Sequence, residues 1–143
     1  MTFRLAAAFA LMAVASSGSH AAKDNATLIK EAVSALDEAY VMDVKPADAK
    51  YTNCKYGQLE SRQIVRCGIG FSLGSTDLAQ IGYWEVDVQG DTYTIYAMNG
   101  KALSALERIN RGGSYSSSTY PGAFKTGQGR TPLDMKQAAK AIQ

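Results

Sequence analysis

The chain has one histidine, His20, and none beyond it. His20 falls inside a stretch that reads as a cleaved leader, so the expected mature protein carries no imidazole. That absence excludes Ser-His-Asp and Cys-His catalysis, and it excludes histidine-ligated zinc, iron or copper. Cysteine is scarce too: Cys54 and Cys67 are the only two. Two thiols without histidine make a poor zinc site, and their spacing is not the C-x-x-C of a redox pair. No phosphate-cradling glycine motif and no nucleophile elbow occur. The sequence therefore gives no catalytic residue, no metal ligand set and no cofactor.

Long apolar runs are also missing. The opening "MTFRLAAAFALMAVASSGSHAA" places Arg4 ahead of an apolar run from Leu5 to Ala15. Small residues follow, and Ser19-His20-Ala21 fits a small-x-small cleavage site. This is the layout of a secretory signal peptide over residues 1–21. The run is too short to span a bilayer, which needs about 20 apolar residues. The mature chain is expected to have no transmembrane segment and to be periplasmic or secreted.

In an oxidising compartment an even cysteine count argues for a bridge. The segment "RQIVRCGIGFSL" alternates, with Val65, Cys67, Ile69 and Phe71 on one face. Pairing Cys54 directly with Cys67 in an antiparallel hairpin sets Tyr56 opposite Val65 and Thr52 opposite Ile69, with Gly57 to Arg62 as the turn. A second hairpin lies in "IGYWEVDVQGDTYTIYAMNG". With Gly90-Asp91 as a two-residue turn, Val88 pairs with Tyr93, Val86 with Ile95 and Trp84 with Ala97, an all-apolar face. The other face pairs Asp87 with Thr94, Glu85 with Tyr96 and Tyr83 with Met98. Residues 72–80 read as the connector between the hairpins.

Residues 24–42 read as an amphipathic helix, capped by Asp24 or Asn25 and striped by Leu28, Ile29, Ala32, Val33, Leu36 and Tyr40. Residues 101–109 form a short second helix, stopped by Asn110 to Gly113. From there serine and glycine dominate, a composition that does not order itself. "TPLDMKQAAKAI" closes the chain as a weak helix capped by Thr131. The expected fold is α+β: an N-terminal helix packed on a four-stranded antiparallel sheet of two hairpins, a short helix after the sheet, and a flexible C-terminal tail. The domain covers residues 22–111 and the tail 112–143. A helix across an antiparallel sheet resembles the cystatin type of architecture, which at the level of fold implies no function.

Charge is divided. Residues 23–110 carry nine basic and twelve acidic side chains, and residues 111–143 carry five basic and one acidic. Bulk charge of this balance does not suit nucleic-acid binding. The candidate site is the polar sheet face, where Tyr83, Glu85, Asp87, Tyr96 and Met98 form an aromatic patch edged by carboxylates. Such a patch suits a partner protein in the envelope or outside the cell, unless the tail covers it. Glu85 and Asp87 are also the candidate pair for a carboxylate-dependent hydrolase of cell-wall or glycan substrates, which would need one raised pKa. The reading favours a non-enzymatic binding module, such as an inhibitor, immunity protein or secretion accessory. A structural subunit of an extracellular assembly is the other alternative. Protein recovered from the envelope or medium is expected to have an intact mass lacking residues 1–21, within one residue. Full-length chain in the membrane fraction would overturn the leader.

Overall fold

In the computed structural model, which describes residues 23–73, 76–112 and 123–142, the first helix starts at a cap. Asp24 has an extended backbone, and its carboxylate accepts from the Thr27 N–H at 2.8 Å. This satisfies one of the amide donors that a helix start leaves unpaired. Helix α1 (Asn25–Ala39) buries Leu28, Ala32, Ala35, Leu36 and Ala39 on one stripe. It then widens into a π-helical turn, Tyr40–Val44, closed by the Lys45 N–H donating to the Tyr40 carbonyl at 2.7 Å. Hydrophobic periodicity gives no sign of this turn. It buries Tyr40 and Val44 while Val41 and Met42 face outward.

Strands β1 (Tyr51–Leu59), β2 (Arg62–Leu73), β3 (Thr76–Gln89) and β4 (Thr92–Ala97) follow one another as an antiparallel meander. The first hairpin has the register set by the cysteines: Cys54 faces Cys67, Tyr56 faces Val65 and Thr52 faces Ile69. The disulfide joins them with Cα atoms 4.0 Å apart. Pairing runs on to Leu59 and Arg62, so the turn is Glu60-Ser61 rather than Gly57 to Arg62, and Glu60 takes a positive φ of 56°. The second hairpin keeps the expected register throughout, with Gly90 at φ 60° in its turn. The described part of the expected connector is strand: residues 72–73 extend β2 and residues 76–80 extend β3, which pair from Gln63–Val86 to Leu73–Thr76. Their polar composition reads as loop, but backbone pairing satisfies N–H and C=O groups whatever the side chain.

Helix α2 (Gly100–Gly112) begins at Gly100, not Lys101, and runs past Asn110. The Asn99 side-chain oxygen accepts from the Ala102 and Tyr83 N–H groups at 3.0 Å, and its amide donates to the Ile81 carbonyl at 3.0 Å. One side chain thus caps the helix and ties it to β3. Both helices lie on one sheet face, around Trp84, which is wholly buried. The indole packs edge-on against Tyr40 at 6.2 Å and Phe124 at 6.3 Å between ring centroids.

Two expectations need correcting. The sheet is five-stranded and mixed, because β5 (Phe124–Thr126) adds parallel to β4. The C-terminal segment, expected as a loose tail, packs on the domain over residues 123–142. Phe124 closes the Trp84 core, while Leu133, Ala138 and Ile142 bury against Ile64 and Tyr83 on the opposite sheet face. Composition counts the apolar content of a segment alone; here few apolar residues suffice because the sheet supplies the rest of the core. Helix α3 (Met135–Ala141) is capped by Asp134, not Thr131, with N–H donors of Lys136 and Gln137 at 3.0 and 3.2 Å. Gly57 lets α3 approach β1, since a Cβ there would lie 2.6 Å from the Ala141 carbonyl oxygen. The expected leader and the serine-rich part of the tail, residues 113–122, lie outside the described residues. The architecture is α+β in three layers: α1 and α2, the sheet, then α3.

Replacing both cysteines with alanine is expected to lower stability by about 2–4 kcal/mol, because a loop of roughly 14 residues regains unfolded-state entropy. Urea-unfolding midpoints under oxidising conditions measure this. An unchanged midpoint would show that the bridge does not constrain the fold.

Candidate functional site

Strand alternation sends Tyr83, Glu85 and Asp87 of β3 and Tyr96 of β4 to the same sheet face, and Met98, just past the end of β4, joins them beside Tyr83. That face is not open. The C-terminal segment crosses it, and Glu85 is only 4% exposed. Arg62 donates through Nε to Glu85 Oε2, and Arg130 donates through Nε to Glu85 Oε1 at 2.6 Å. Arg130 also lies 3.7 Å from Asp87 Oδ2, with its guanidinium carbon 4.1 Å from the centre of the Tyr96 ring, a cation–π geometry. Arg62 extends its fork to the Thr131 and Pro132 carbonyls at 2.7 and 3.2 Å. Tyr83 is buried beside Leu133, and Met98 packs half-buried on the same cluster. The five patch residues do come together, and the C-terminal segment covers them.

Burial alone would push the Glu85 carboxyl up. Hydrogen bonds and charge from Arg62 and Arg130 outweigh it and hold Glu85 below its ordinary value. A glycosidase acid needs the opposite shift. The sequence reading missed both arginines. Counting by twos back from Ile64, which faces Glu85, puts position 62 on the same face, but a turn from Gly57 to Arg62 hides that alternation. Arg130 carries no local signal, because its contact is made 45 residues away along the chain.

The open apolar surface lies elsewhere, where α1 runs along β1. Strand β1 is an end strand of the sheet. Two hollows flank Asp37 there. One, of about 580 Å³, is lined by Ala26, Ile29, Val33, Tyr56 and Gln63 among others. The other, of about 650 Å³, is lined by Asp37, Glu38, Val41, Met42, Thr52 and Asn53. Val41 is 57% exposed, Met42 64% and Tyr56 43%. Between the hollows Asp37 Oδ1 accepts from the Cys54 N–H at 3.0 Å. Burial pushes the Asp37 carboxyl above its ordinary value, and this hydrogen bond partly opposes the rise. Ile29 and Val33, read as core residues, sit half-buried at the margin of the stripe. The signal for Val41 and Met42 was the run Tyr40-Val41-Met42, since three consecutive helical residues cannot all face one core.

Among the described residues no helix is long and apolar enough to cross a membrane, and no group of three or more His, Cys, Asp or Glu stands together as a metal site.

Replacing one guanidinium of the pair (Arg62→Met or Arg130→Met) is expected to cost about 1–3 kcal/mol, and replacing both about 3–5 kcal/mol, because a buried carboxylate then lacks its partners. The pH dependence differs in sign. In the native protein the folded-state pKa of Glu85 is depressed, so its contribution is complete at neutral pH. It is lost as pH falls from about 4.3 through the lower folded-state value. In the double variant only burial acts and the pKa rises, so mild acidification should recover stability. Urea midpoints between neutral pH and about pH 4 decide this; parallel curves for the two proteins would refute it.

Compared with known proteins, the chain matches no family model, no curated protein and no solved structure.

Proposed function

We propose that this chain is an exported, non-enzymatic protein-binding module that recognises its partner through the groove between α1 and β1. The observation that carries the reading is the row of exposed apolar residues on that edge: Val41, Met42 and Tyr56 beside the half-buried Ile29 and Val33. Large apolar side chains gathered along one edge of a small domain mark interaction surfaces. Asp37 and Glu38 line one hollow and Lys30 the other, so the matching partner surface carries apolar anchors with a basic residue facing Asp37. The disulfide supports an oxidising compartment, in the envelope or outside the cell.

The hydrolase alternative has less support. Its candidate acid, Glu85, is held deprotonated beneath two guanidinium groups. That carboxylate is only 4% exposed, which disfavours direct contact with a substrate. A structural subunit would use the same α1–β1 edge for self-association, and the test separates the two cases.

A photo-crosslinking residue placed at Met42 or at Tyr56 in the native compartment is expected to capture one discrete heterologous protein. The same residue at Gln89, in the second hairpin, should capture none. Adducts that are dimers of this chain would favour the assembly subunit. Adducts at Gln89 alone would move the interface off this edge and overturn the proposal.

A further inference from the structure

A third hollow lies on the helical side of the sheet, away from the two along α1 and β1. It measures about 220 Å³ and sits between α2, the π-helical turn and the β2–β3 pair. Its apolar walls are Val44, Ile69 and Ala105, and its floor is Tyr40 over Gly82. Gly82 is required there: a Cβ would lie 2.5 Å from the Tyr40 hydroxyl oxygen. Lys101 and Arg108 stand at the mouth, and the lining contains no Asp or Glu. The two cations are seven residues apart on α2, so they share one stripe, on the order of 10 Å apart along the axis. Two long side chains span that gap.

Arg108 is aimed rather than free. Its Nη1 donates to the Val44 carbonyl at 2.9 Å, at the end of the π-helical turn, which leaves the rest of its donor fork available. π-Helical turns recur at functional positions, and this one sets both Val44 and Tyr40. The second independent observation is Tyr40 itself. Its side chain is 1% exposed, and its oxygen accepts the Trp84 indole N–H at 3.0 Å. The hydroxyl hydrogen is therefore left over as a donor, and Tyr40 lines the hollow. Burial, with the Trp84 hydrogen bond opposing it, pushes the phenol up to about 12, so that donor persists across the physiological range.

We infer that this hollow is a binding site for a short aliphatic carboxylate, with the carboxylate held by Lys101, Arg108 and the Tyr40 hydroxyl and the alkyl part against Val44, Ile69 and Ala105. Size sets the ligand class. The hollow holds the share of about seven waters, below the volume of a drug-sized pocket. Three residues with donor groups on one lining suit the two oxygens of a carboxylate, and the apolar walls have no counterpart in an inorganic phosphate. The same group can arrive as a free small acid or as the C-terminal carboxylate of another protein.

Trp84 is the only tryptophan, and its indole N–H touches the Tyr40 hydroxyl, so one resonance reports on the site. Titrating the full mature protein with butyrate is expected to shift the indole N–H signal saturably, within about 50 mM. Butyramide, which is neutral and of the same shape, should leave it in place. Lys101→Gln and Arg108→Gln should each weaken butyrate binding by about fivefold or more. Lys101 is an exposed side chain, so its variant stays folded and keeps the test valid if Arg108→Gln does not. A short peptide with a free C-terminus that binds tighter than butyrate, with its amidated form inert, would assign the ligand to a protein C-terminus. Equal or weaker peptide binding would assign it to a free acid. No saturable shift with butyrate, an equal response in Lys101→Gln, or a response to inorganic phosphate alone would each overturn the proposal.

Discussion

Trp84 and Glu85 are neighbours in β3, and the fold depends on their pointing opposite ways. Successive residues of a strand alternate faces, so the indole and the carboxylate are sent to different layers by one backbone. Trp84 enters the apolar core with Tyr40 and Phe124. Glu85 enters the arginine pair on the other face. A slip of one residue would exchange them, leaving a carboxylate unpaired among apolar groups and an indole N–H without its acceptor. The two faces therefore enforce the same register. Four outlying segments are fastened to these two residues: the π-helical turn after α1 through Tyr40, β5 through Phe124, the first hairpin through Arg62 and the C-terminal segment through Arg130.

Local pairings were legible in the sequence because each is set by a short-range device. The disulfide fixes Cys54 opposite Cys67, and Gly90 fixes a two-residue turn with an all-apolar face behind it. The β2–β3 pairing was not legible. The largely polar sequence of residues 72–77 lacks the alternation that marks a half-buried strand. The C-terminal segment was misjudged for a different reason. Phe124, Leu133 and Ile142 are too sparse to suggest a core, and their partners Trp84, Tyr83 and Ile64 lie tens of residues earlier. Long-range complementarity of this kind leaves no periodic trace.

The polar face was legible as a set and illegible as an environment. Alternation alone assigned Tyr83, Glu85, Asp87, Tyr96 and Met98 to one face, and the structure keeps them there. Whether that face was open or covered turned on Arg130, a residue inside a glycine-rich stretch with no pattern of its own. The α1–β1 groove was illegible for the converse reason. A helical stripe wide enough to include Ile29 and Val33 looks like core from sequence. Only the position of α1 at the sheet edge leaves part of that stripe uncovered.

Asp37 constrains how that edge can be used. An end strand presents unpaired N–H and C=O groups that invite pairing with another chain. On β1 the outward N–H of Cys54, at the middle of the strand, is already taken by the Asp37 carboxylate from α1. The disulfide holds the same residue from its side chain, so the donor cannot swing toward an incoming strand. In an antiparallel ladder only alternate residues point their amides outward, so blocking the central one leaves no continuous row for a partner strand to follow. Backbone pairing is thus discouraged at the place where apolar side chains are exposed. Under the proposed binding role, recognition through this groove would read side chains, with Val41 and Met42 on one side of Asp37 and Ile29, Val33 and Tyr56 on the other. The same carboxylate that protects the edge from indiscriminate strand addition divides the groove into two compartments and puts a negative charge between them. In the proposed binding role a partner would match all three features together, which would make selectivity a consequence of the edge's protection.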